Sequence, residues 1–209
     1  MNVQSALTAL AFNCTLKRGS EASSTDKLIG ELFDALKPYG VTGSTIRAAD
    51  YNILPGVTSD EGAGDDWPTL RAKLLAADIL IMGTPIWLGQ PSSVAKRVLE
   101  RMDALLDETD DKGRMPSFGK VAIAAVVGNE DGAHHCHAEI FQALNDVGFT
   151  IPVGGGTYWV GEAMGSVDYK DLRRPNDKTV QTTRMLAANA AHLAKLLKAS
   201  PYPGVDVQS

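Results

Sequence analysis

Short apolar runs that alternate with helical patterns constrain the fold of this chain more than any other feature. The runs at residues 7–12, 79–82 and 121–127 are too short for helices, and each precedes a loop and a segment of helical periodicity. Near-continuous apolar runs are typical of strands that are buried on both faces of a parallel sheet, because crossover helices cover both sides. The sequence therefore predicts an α/β domain with a parallel sheet.

The same patterns predict five strands and five helices in a single domain. We expect strands at residues 7–12, 44–48, 79–83, 120–127 and 149–153, and helices at about 25–36, 67–76, 92–106, 135–146 and 177–199. The Gly- and Asp-rich segment 52–66 is predicted to be a surface loop of unusual length. The domain is expected to span residues 1–199, and residues 200–209 form a C-terminal tail with two prolines.

Charge and composition exclude several classes of function. The chain has 209 residues and a formal net charge of −5, which argues against a nucleic-acid partner. Its apolar runs are all far shorter than the roughly 18 residues that a membrane span requires, and no signal peptide is evident. The two cysteines, Cys14 and Cys136, are too few for a secreted disulfide framework. We expect a soluble cytoplasmic protein with two buried thiols.

The loop after the first strand is rich in hydroxyl groups and basic residues. It reads N-C-T-L-K-R-G-S-E-A-S-S-T over residues 13–25 and leads into a helix, whose first backbone N–H groups favour an anion. The chain has neither a P-loop nor a G-x-G-x-x-G dinucleotide fingerprint in this position, so a monophosphate is the ligand that remains. The alternative is that Ser24 or Thr25 only caps the helix.

The loop after the third strand, G-T-P-I-W-L-G-Q-P at residues 83–91, places three apolar side chains between prolines. We expect Ile86, Trp87 and Leu88 to be exposed, which suits a flat aromatic ligand. The alternative is that they pack against the rest of the chain or against a second subunit. The cations of the following helix, Lys96, Arg97 and Arg101, are expected on its solvated face.

The loop after the fourth strand has two glycines, which allow close approach to a ligand, and several polar groups that can pair with a heterocyclic ring. His134, Cys136 and His137 also suggest a metal site, but zinc needs three or four convergent ligands and the chain has no further Cys/His cluster. We expect no metal. These side chains are either polar residues at a helix start or contacts to a cofactor or substrate.

Together the three loops resemble those of the flavodoxin-like NAD(P)H-dependent FMN reductases and quinone reductases, and the likeness covers most of residues 6–165. The motifs that carry it are N-C-T-L-K with S-S-T, G-T-P-I-W-L-G-Q-P-S and G-N-E-D-G-A-H-H. The resemblance implies a doubly wound five-stranded parallel sheet of order 2-1-3-4-5 with helices on both faces. It also implies FMN as cofactor, NAD(P)H as electron donor and a homodimer or homotetramer.

The resemblance also implies a set of cofactor contacts. The FMN phosphate would be held by Thr15, Lys17, Ser23, Ser24 and Thr25. The isoalloxazine would be lined by Pro85, Ile86, Trp87, Leu88 and Gly89. Its other edge would contact Asn129, Glu130, Asp131, Gly132 and Ala133. Tyr158 and Trp159 are expected either to close the pocket, from this chain or from a neighbouring subunit, or to pack in the core.

No single side chain is expected to act as an essential acid or base, because the flavin carries the chemistry. Two distant cysteines cannot supply four ligands to an iron–sulfur cluster, so no cluster is expected. The predicted function is electron transfer from NAD(P)H through FMN to a small-molecule acceptor such as a quinone or free flavin. One alternative is a non-enzymatic FMN electron carrier, and another is a scaffold of the same fold without flavin.

Overall fold

Five parallel strands form the centre of the computed structural model, which describes residues 6–174 and 176–206. With one short antiparallel strand, β4, the described residues contain six strands: β1 (Leu7–Asn13), β2 (Val41–Arg47), β3 (Ile79–Trp87), β4 (Gln90–Pro91), β5 (Val121–Gly128) and β6 (Gly156–Val160). Their order is β2-β1-β3-β5-β6, and the two-residue β4 pairs antiparallel with β3. With β4 set aside, this is the order 2-1-3-4-5, and the predicted fold class is confirmed.

Helices cover both faces of the sheet. They are α1 (Ser24–Leu36), α2 (Trp67–Ala76), α3 (Ser93–Arg101), α4 (Ala133–Asp146) and α5 (Asp177–Ala199). Alternate residues of β1 point to opposite faces. Ala9 and Ala11 belong to the core under α1 and α5, whereas Leu10 and Phe12 belong to the core under α2, α3 and α4. In open α/β sheets ligands bind beyond the carboxyl ends of the strands.

The prediction for the last strand was wrong. Residues 149–153 form no strand, apart from an isolated bridge between Thr150 and Val121, and the strand lies at Gly156–Val160. Pro152 has no N–H to donate to a ladder, and Gly154 turns the chain with a φ of 64°. The β-branched and aromatic residues that follow this turn pair with β5 instead.

Three other boundaries differ from the prediction. β2 begins at Val41 and ends at Arg47, slightly before the expected 44–48. β3 continues to Trp87, so part of the predicted loop is strand. The helix expected at 92–106 ends at Arg101, and a 3₁₀ turn, Asp103–Leu106, follows it.

Arg101 is buried rather than solvated. Its guanidinium lies 2.8 Å from the carboxylate of Asp65, and it donates hydrogen bonds to the carbonyl oxygens of Leu54 and Thr58. Both side chains of this ion pair are fully buried. The carbonyl oxygens of the long loop 52–66 compensate the guanidinium for part of the water that burial removes.

The described part of the C-terminal tail contacts the domain. The hydroxyl of Tyr202 lies 3.1 Å from Thr150 Oγ1, and its ring packs edge-on against Phe118. The backbone N–H of Val205 donates to the carbonyl of Lys112. Residues 207–209 of the predicted tail lie outside the described residues. Across residues 6–174 and 176–206, none of the helices has the length and apolar character that a membrane crossing needs.

Candidate active site

A cavity of about 480 Å³ opens at the carboxyl ends of β1, β3, β5 and β6. Its volume lies in the range of small-molecule sites. Eleven of the residues predicted from sequence line it: Thr15, Lys17, Ser23, Ser24, Thr25, Pro85, Ile86, Trp87, Leu88, Asn129 and Glu130. Val127, Gly128, Trp159, Met164 and Asp168 complete the lining. The three predicted loops therefore meet at one site, together with a fourth loop that follows β6.

The end of the cavity beside α1 is polar. Ser23 is the N-cap of α1, and its hydroxyl accepts a hydrogen bond from the Asp26 backbone N–H at 3.0 Å. The buried side chain of Asn13 orders the preceding loop, because its Oδ1 accepts from the Thr15 N–H at 3.0 Å. The alternative that Ser24 or Thr25 caps the helix was wrong, because the cap is Ser23 and these two residues follow it in the first turn.

The charges near the start of α1 are already paired. The carboxylate of Asp26 contacts both Asn13 and the guanidinium of Arg47. The ammonium of Lys17 donates to the Ala22 carbonyl at 3.0 Å and lies 3.3 Å from Glu21. An anion at this helix start would therefore meet one ammonium group and hydroxyl donors, with the nearest acid neutralised.

A tight hairpin follows β3. Leu88 and Gly89 take positive φ values of 53° and 73°, which lets Gln90 pair back onto Trp87. Trp87 is 53% exposed and Leu88 is 92% exposed, as predicted. Ile86 is only 2% exposed, contrary to the prediction, because it packs under Gly128 of β5.

Buried hydroxyl groups hold the base of this hairpin. Thr84 Oγ1 accepts from the Ser92 N–H at 3.0 Å, and Ser92 Oγ donates to the Cys14 carbonyl at 2.6 Å. Ser92 also caps α3 by accepting from the Ala95 N–H. The hairpin is thereby tied to the loop after β1.

The loop after β5 contributes fewer lining residues than predicted. Asn129 and Glu130 line the cavity, and Glu130 Oε2 accepts from the Gly89 N–H at 3.2 Å. Gly89, Asp131, Gly132 and Ala133 are not among the lining residues. Gly132 instead packs against Gly89, and Ala133 begins α4.

The loop after β6 lines the fourth side, and sequence reasoning did not include it. Asn129 Nδ2 donates to Asp168 Oδ1 at 3.1 Å and to the Gly165 carbonyl at 3.2 Å. Trp159 lines the cavity, whereas Tyr158 packs against the rings of His134 and His137. Adjacent strand residues face opposite sides, so only one of the two aromatic residues expected at the pocket, Trp159, lines the cavity.

The family model for NADPH-dependent FMN reductases matches residues 7–165. This chain belongs to that family. The predicted cofactor, FMN with NAD(P)H as electron donor, is thereby confirmed at the level of the family. An FMN reductase fold is expected to bind its flavin at the carboxyl ends of the strands, and the cavity lies there.

Two curated relatives cover nearly all of this FMN reductase family member. It is 38% identical over 200 residues to the divalent metal cation transporter MntH of Mycobacterium bovis. The matched region covers 92% of this chain but only 29% of the transporter. It is 32% identical over 209 residues to the 8-demethyl-8-aminoriboflavin-5'-phosphate synthase of Streptomyces davaonensis, covering 94% of this chain and 80% of the synthase.

Two solved structures show the range of structural likeness. A crystal structure of RosB with bound 8-demethyl-8-formylriboflavin-5'-phosphate has a TM-score of 0.84 and 32% identity, covering 94% of this chain and 82% of RosB. The apo NADH:FMN oxidoreductase EMOB has a TM-score of 0.62 and 16% identity, covering 98% of this chain and 97% of EMOB. The second likeness concerns the fold alone.

Cys136 and His137 in the first turns of α4 are turned toward the protein, whereas His134 and His135 are exposed. Burial lowers the pKa of His137 to about 4 and raises the pKa of Cys136 to about 11, so both are neutral near pH 7. His137 stacks on Phe141, and the thiol of Cys136 lies 3.9 Å from the Gly89 carbonyl. In this FMN reductase family member neither side chain lines the cavity.

The chemistry of the lining residues suits an FMN molecule. The polar end offers Thr15, Lys17 and the first turn of α1 to a terminal phosphate. The opposite end offers Trp87, Leu88 and Met164, whose exposure leaves a flat apolar opening. An amphipathic flavin phosphate matches this division between polar and apolar ends.

Proposed function

We propose that this protein transfers electrons from NAD(P)H through FMN to a small acceptor such as a quinone or free flavin. The observation that carries the proposal is the cavity itself. It joins an anion-suited helix start to an apolar opening, at the edge of the sheet where ligands bind in this fold.

The polar end would hold the FMN phosphate. Thr15, Lys17, Ser23, Ser24 and Thr25 line this end, and the first N–H groups of α1 lack partners within the helix. The hydrogen bond between the Ser24 hydroxyl and the Lys170 N–H, at 3.2 Å, connects this end to the loop after β6. The start of α1, which would contact the flavin phosphate, and the loop after β6 would thus support each other.

The apolar end would hold the ring and admit the second substrate. Pro85, Ile86, Trp87 and Leu88 form one side of it, and Asn129 and Glu130 offer polar groups to a ring edge. Leu88 is 92% exposed and Met164 is 95% exposed at the mouth, which leaves room for another planar molecule. Bound FMN supplies the hydride and electron chemistry, and the protein binds, orients and shields it.

Three measurements test the proposal. Purified protein reconstituted with FMN should show a bound-flavin absorbance spectrum, and riboflavin should bind more weakly because it lacks the phosphate. NADPH or NADH alone should then bleach that spectrum, and an added quinone or free flavin should sustain NAD(P)H oxidation. No flavin binding would refute the proposal, and bound flavin that NAD(P)H does not reduce would favour an electron carrier.

A second candidate function is modification of a flavin phosphate. It is favoured by the 32% identity to the aminoriboflavin phosphate synthase over 94% of this chain, which far exceeds the 16% identity to the FMN oxidoreductase. In that case riboflavin-5'-phosphate would be a substrate that leaves chemically altered. Mass spectrometry of FMN recovered after incubation with the protein separates the two candidates, since an electron-transfer catalyst returns FMN at unchanged mass.

We also propose that the protein is a homodimer or homotetramer. Trp87, Leu88 and Met164 expose apolar surface at the mouth of the cavity, where a second subunit could cover it. Light scattering coupled to gel filtration gives the mass directly, and a monomer of 22.2 kDa would contradict this proposal.

A further inference from the structure

Two aromatic side chains lead from the cavity into the core under α1 and α5. Trp159 lines the cavity and is only 8% exposed. The centre of its ring lies 5.3 Å from the centre of the Tyr169 ring, and the two planes are tilted by 45°. Tyr169 itself is fully buried. This separation is that of aromatic rings in direct contact, so an electron can pass from one ring to the other.

The hydroxyl of Tyr169 reaches a carboxylate at the other end of this pair. It donates a hydrogen bond to Glu31 on α1. Glu31 also lines a groove of about 440 Å³ between α1 and α5, together with the exposed residues Asp34 and Arg184. Trp159, Tyr169 and Glu31 therefore form a continuous line from the cavity to a second opening at the surface.

Lys27 lies over the ring of Tyr169 and influences its chemistry. Its ammonium is 5.0 Å from the ring centre and donates to the carbonyl oxygens of Tyr169 and Leu172 at 3.0 and 3.1 Å. Burial, followed by the hydrogen bond to Glu31 and its charge, raises the pKa of Tyr169 above the usual range, so the phenol is protonated at neutral pH. Because the ammonium repels a positively charged ring, Tyr169 loses an electron readily only when its proton moves to Glu31.

We propose that Trp159, Tyr169 and Glu31 form a redox relay, which carries an oxidising equivalent from the flavin cavity to the groove between α1 and α5. The inference rests on the proposed function, since it needs FMN in the cavity. The relay protects Trp159, because an indole radical that regains its electron quickly does not react with oxygen.

Electrons and protons balance at each step of the relay. Trp159 gives one electron to oxidised flavin that blue light has excited, which is a strong oxidant, and becomes an indole radical cation. Tyr169 then gives one electron to Trp159 and its phenolic proton to Glu31. A small one-electron reductant such as ascorbate returns an electron to Tyr169, and Glu31 returns the proton. The net change is the transfer of one electron from the reductant to the flavin.

Two other aromatic residues provide matched controls. Trp87 lines the same cavity and is 53% exposed, but it pairs with no aromatic ring among the described residues. Tyr158 precedes Trp159 in β6, yet its ring packs against His134 and His137. Both residues lie in or beside the cavity but lack the connections of the relay.

Transient absorption spectroscopy of the FMN-loaded full-length protein tests the relay, because tryptophan and tyrosine radicals have different spectra. All proteins carry Trp87→Phe, which removes the other indole of the cavity. After a blue flash, a tryptophan radical should decay while a tyrosyl radical forms. Tyr169→Phe should abolish the tyrosyl signal and prolong the tryptophan signal, whereas Tyr158→Phe should change neither. Glu31→Gln, which keeps a hydrogen-bond acceptor but is a poor base, should slow tyrosyl formation.

Mass spectrometry of the proteins that retain Trp87 gives the second readout. Under steady illumination in air with ascorbate, Tyr169→Phe should accumulate more oxygenated Trp159 than the wild type, and oxygenation of Trp87 should be the same in both. A tyrosyl radical that persists in Tyr169→Phe, or a tryptophan radical whose decay does not depend on Tyr169, would overturn the proposal. Equal oxygenation of Trp159 in the two proteins would overturn it as well.

The two proposals fail differently. If FMN binds and the flash produces a tyrosyl radical through Tyr169, but NAD(P)H does not reduce the flavin, the proposed electron transfer is wrong and the relay stands. If NAD(P)H reduces bound FMN and the flash produces no tyrosyl radical, the function stands and the relay is wrong. A protein that binds no FMN contradicts both proposals.

Discussion

Gly132 packs directly against Gly89. A methyl group at Gly132 would lie 2.6 Å from the Gly89 Cα, and Gly132 has a φ of 123° that other residues rarely adopt. The Gly89 N–H also donates to Glu130, and the Cys136 thiol lies near the Gly89 carbonyl. The hairpin after β3 and the start of α4 therefore support each other, and the hairpin borders the apolar end of the cavity.

We expect Gly132→Ala to displace the hairpin and weaken FMN binding about tenfold, since overpacking a tight contact costs roughly 1–3 kcal/mol. The melting temperature should fall as well, and titration of the apoprotein with FMN measures the affinity. Gly30→Ala is the control, because a methyl group at Gly30 on α1 meets no atom within 4 Å. Unchanged FMN affinity in Gly132→Ala would show that the hairpin position does not matter for the flavin.

Trp87→Ala is predicted to raise the dissociation constant of FMN by about two- to tenfold, in line with the value of an aromatic contact beyond its buried area. Trp87→Phe should retain most of the affinity, because a ring remains over the opening. The quenching of flavin fluorescence on binding gives both constants. If the alanine variant binds FMN and turns over as the wild type does, the indole does not contact the flavin.

The pair of Lys17 and Glu21 should tune affinity for the phosphate specifically. Their side chains lie 3.3 Å apart, so Glu21 competes with an incoming phosphate for the ammonium group. Glu21→Gln should tighten FMN binding about two- to fivefold, the range of exposed ion pairs, and leave riboflavin binding unchanged.

Two further variants control this comparison. Lys17→Ala should weaken binding of FMN but not of riboflavin. Asp34→Asn, which removes the Lys37–Asp34 pair elsewhere on α1, should change neither constant. If the Glu21→Gln variant also binds riboflavin more tightly, the gain in affinity comes from a change in loop conformation and not from a stronger contact between Lys17 and the phosphate.

The central strands could be predicted from sequence because burial on both faces leaves them almost purely apolar, as in the run V-A-I-A-A-V-V of β5. The edge strand β6 has no such run, since Gly156, Thr157 and Tyr158 precede its tryptophan. Because residues 149–153 include apolar side chains, the strand was predicted before the turn at Gly154 rather than after it. Because that error left both aromatic residues outside the predicted strand, the alternation of strand faces could not select Trp159 over Tyr158 for the cavity.

Tertiary contacts account for what the sequence could not show. The charge of Arg101 suggests a solvated position, and only the fold brings Asp65 and the carbonyls of the long loop to it. The loops of the site could be located because parallel strands end at one edge of the sheet. Which side chains of those loops line the cavity depends on the hairpin at Leu88 and on the packing of Gly132, and neither follows from spacing.

The buried pair of Arg101 and Asp65 should be essential for stability. Arg101→Leu leaves an unpaired buried carboxylate, and we expect it to reduce the free energy of unfolding by about 3–5 kcal/mol in urea titrations. Adding Asp65→Leu should recover part of the loss. Arg184→Leu on the exposed face of α5 is the control and should cost little. A loss under about 1 kcal/mol in Arg101→Leu would mean that water enters and solvates Asp65.

His137 should make the protein sensitive to mild acid. Burial is the main cause of its low pKa of about 4, and a hydrogen bond with the Thr157 backbone only partly opposes it. In the unfolded chain the imidazole regains its ordinary pKa near 6.5. Between these two values the unfolded state binds a proton that the folded state does not, so stability falls as the pH is lowered through this window.

Replacing His137 should therefore flatten the acid dependence. His137→Phe removes the titrating group and keeps a ring against Phe141, so its free energy of unfolding should change less between pH 7 and pH 4.5 than that of the wild type. His192→Phe, on the exposed side of α5, should leave the wild-type slope intact because its surroundings change little on unfolding. Urea titrations at several pH values give the slopes. An equally steep decline in His137→Phe would assign the acid sensitivity to other groups, since a carboxylate with a lowered pKa, such as Asp65, adds a loss of the same sign as the pH falls through its own titration.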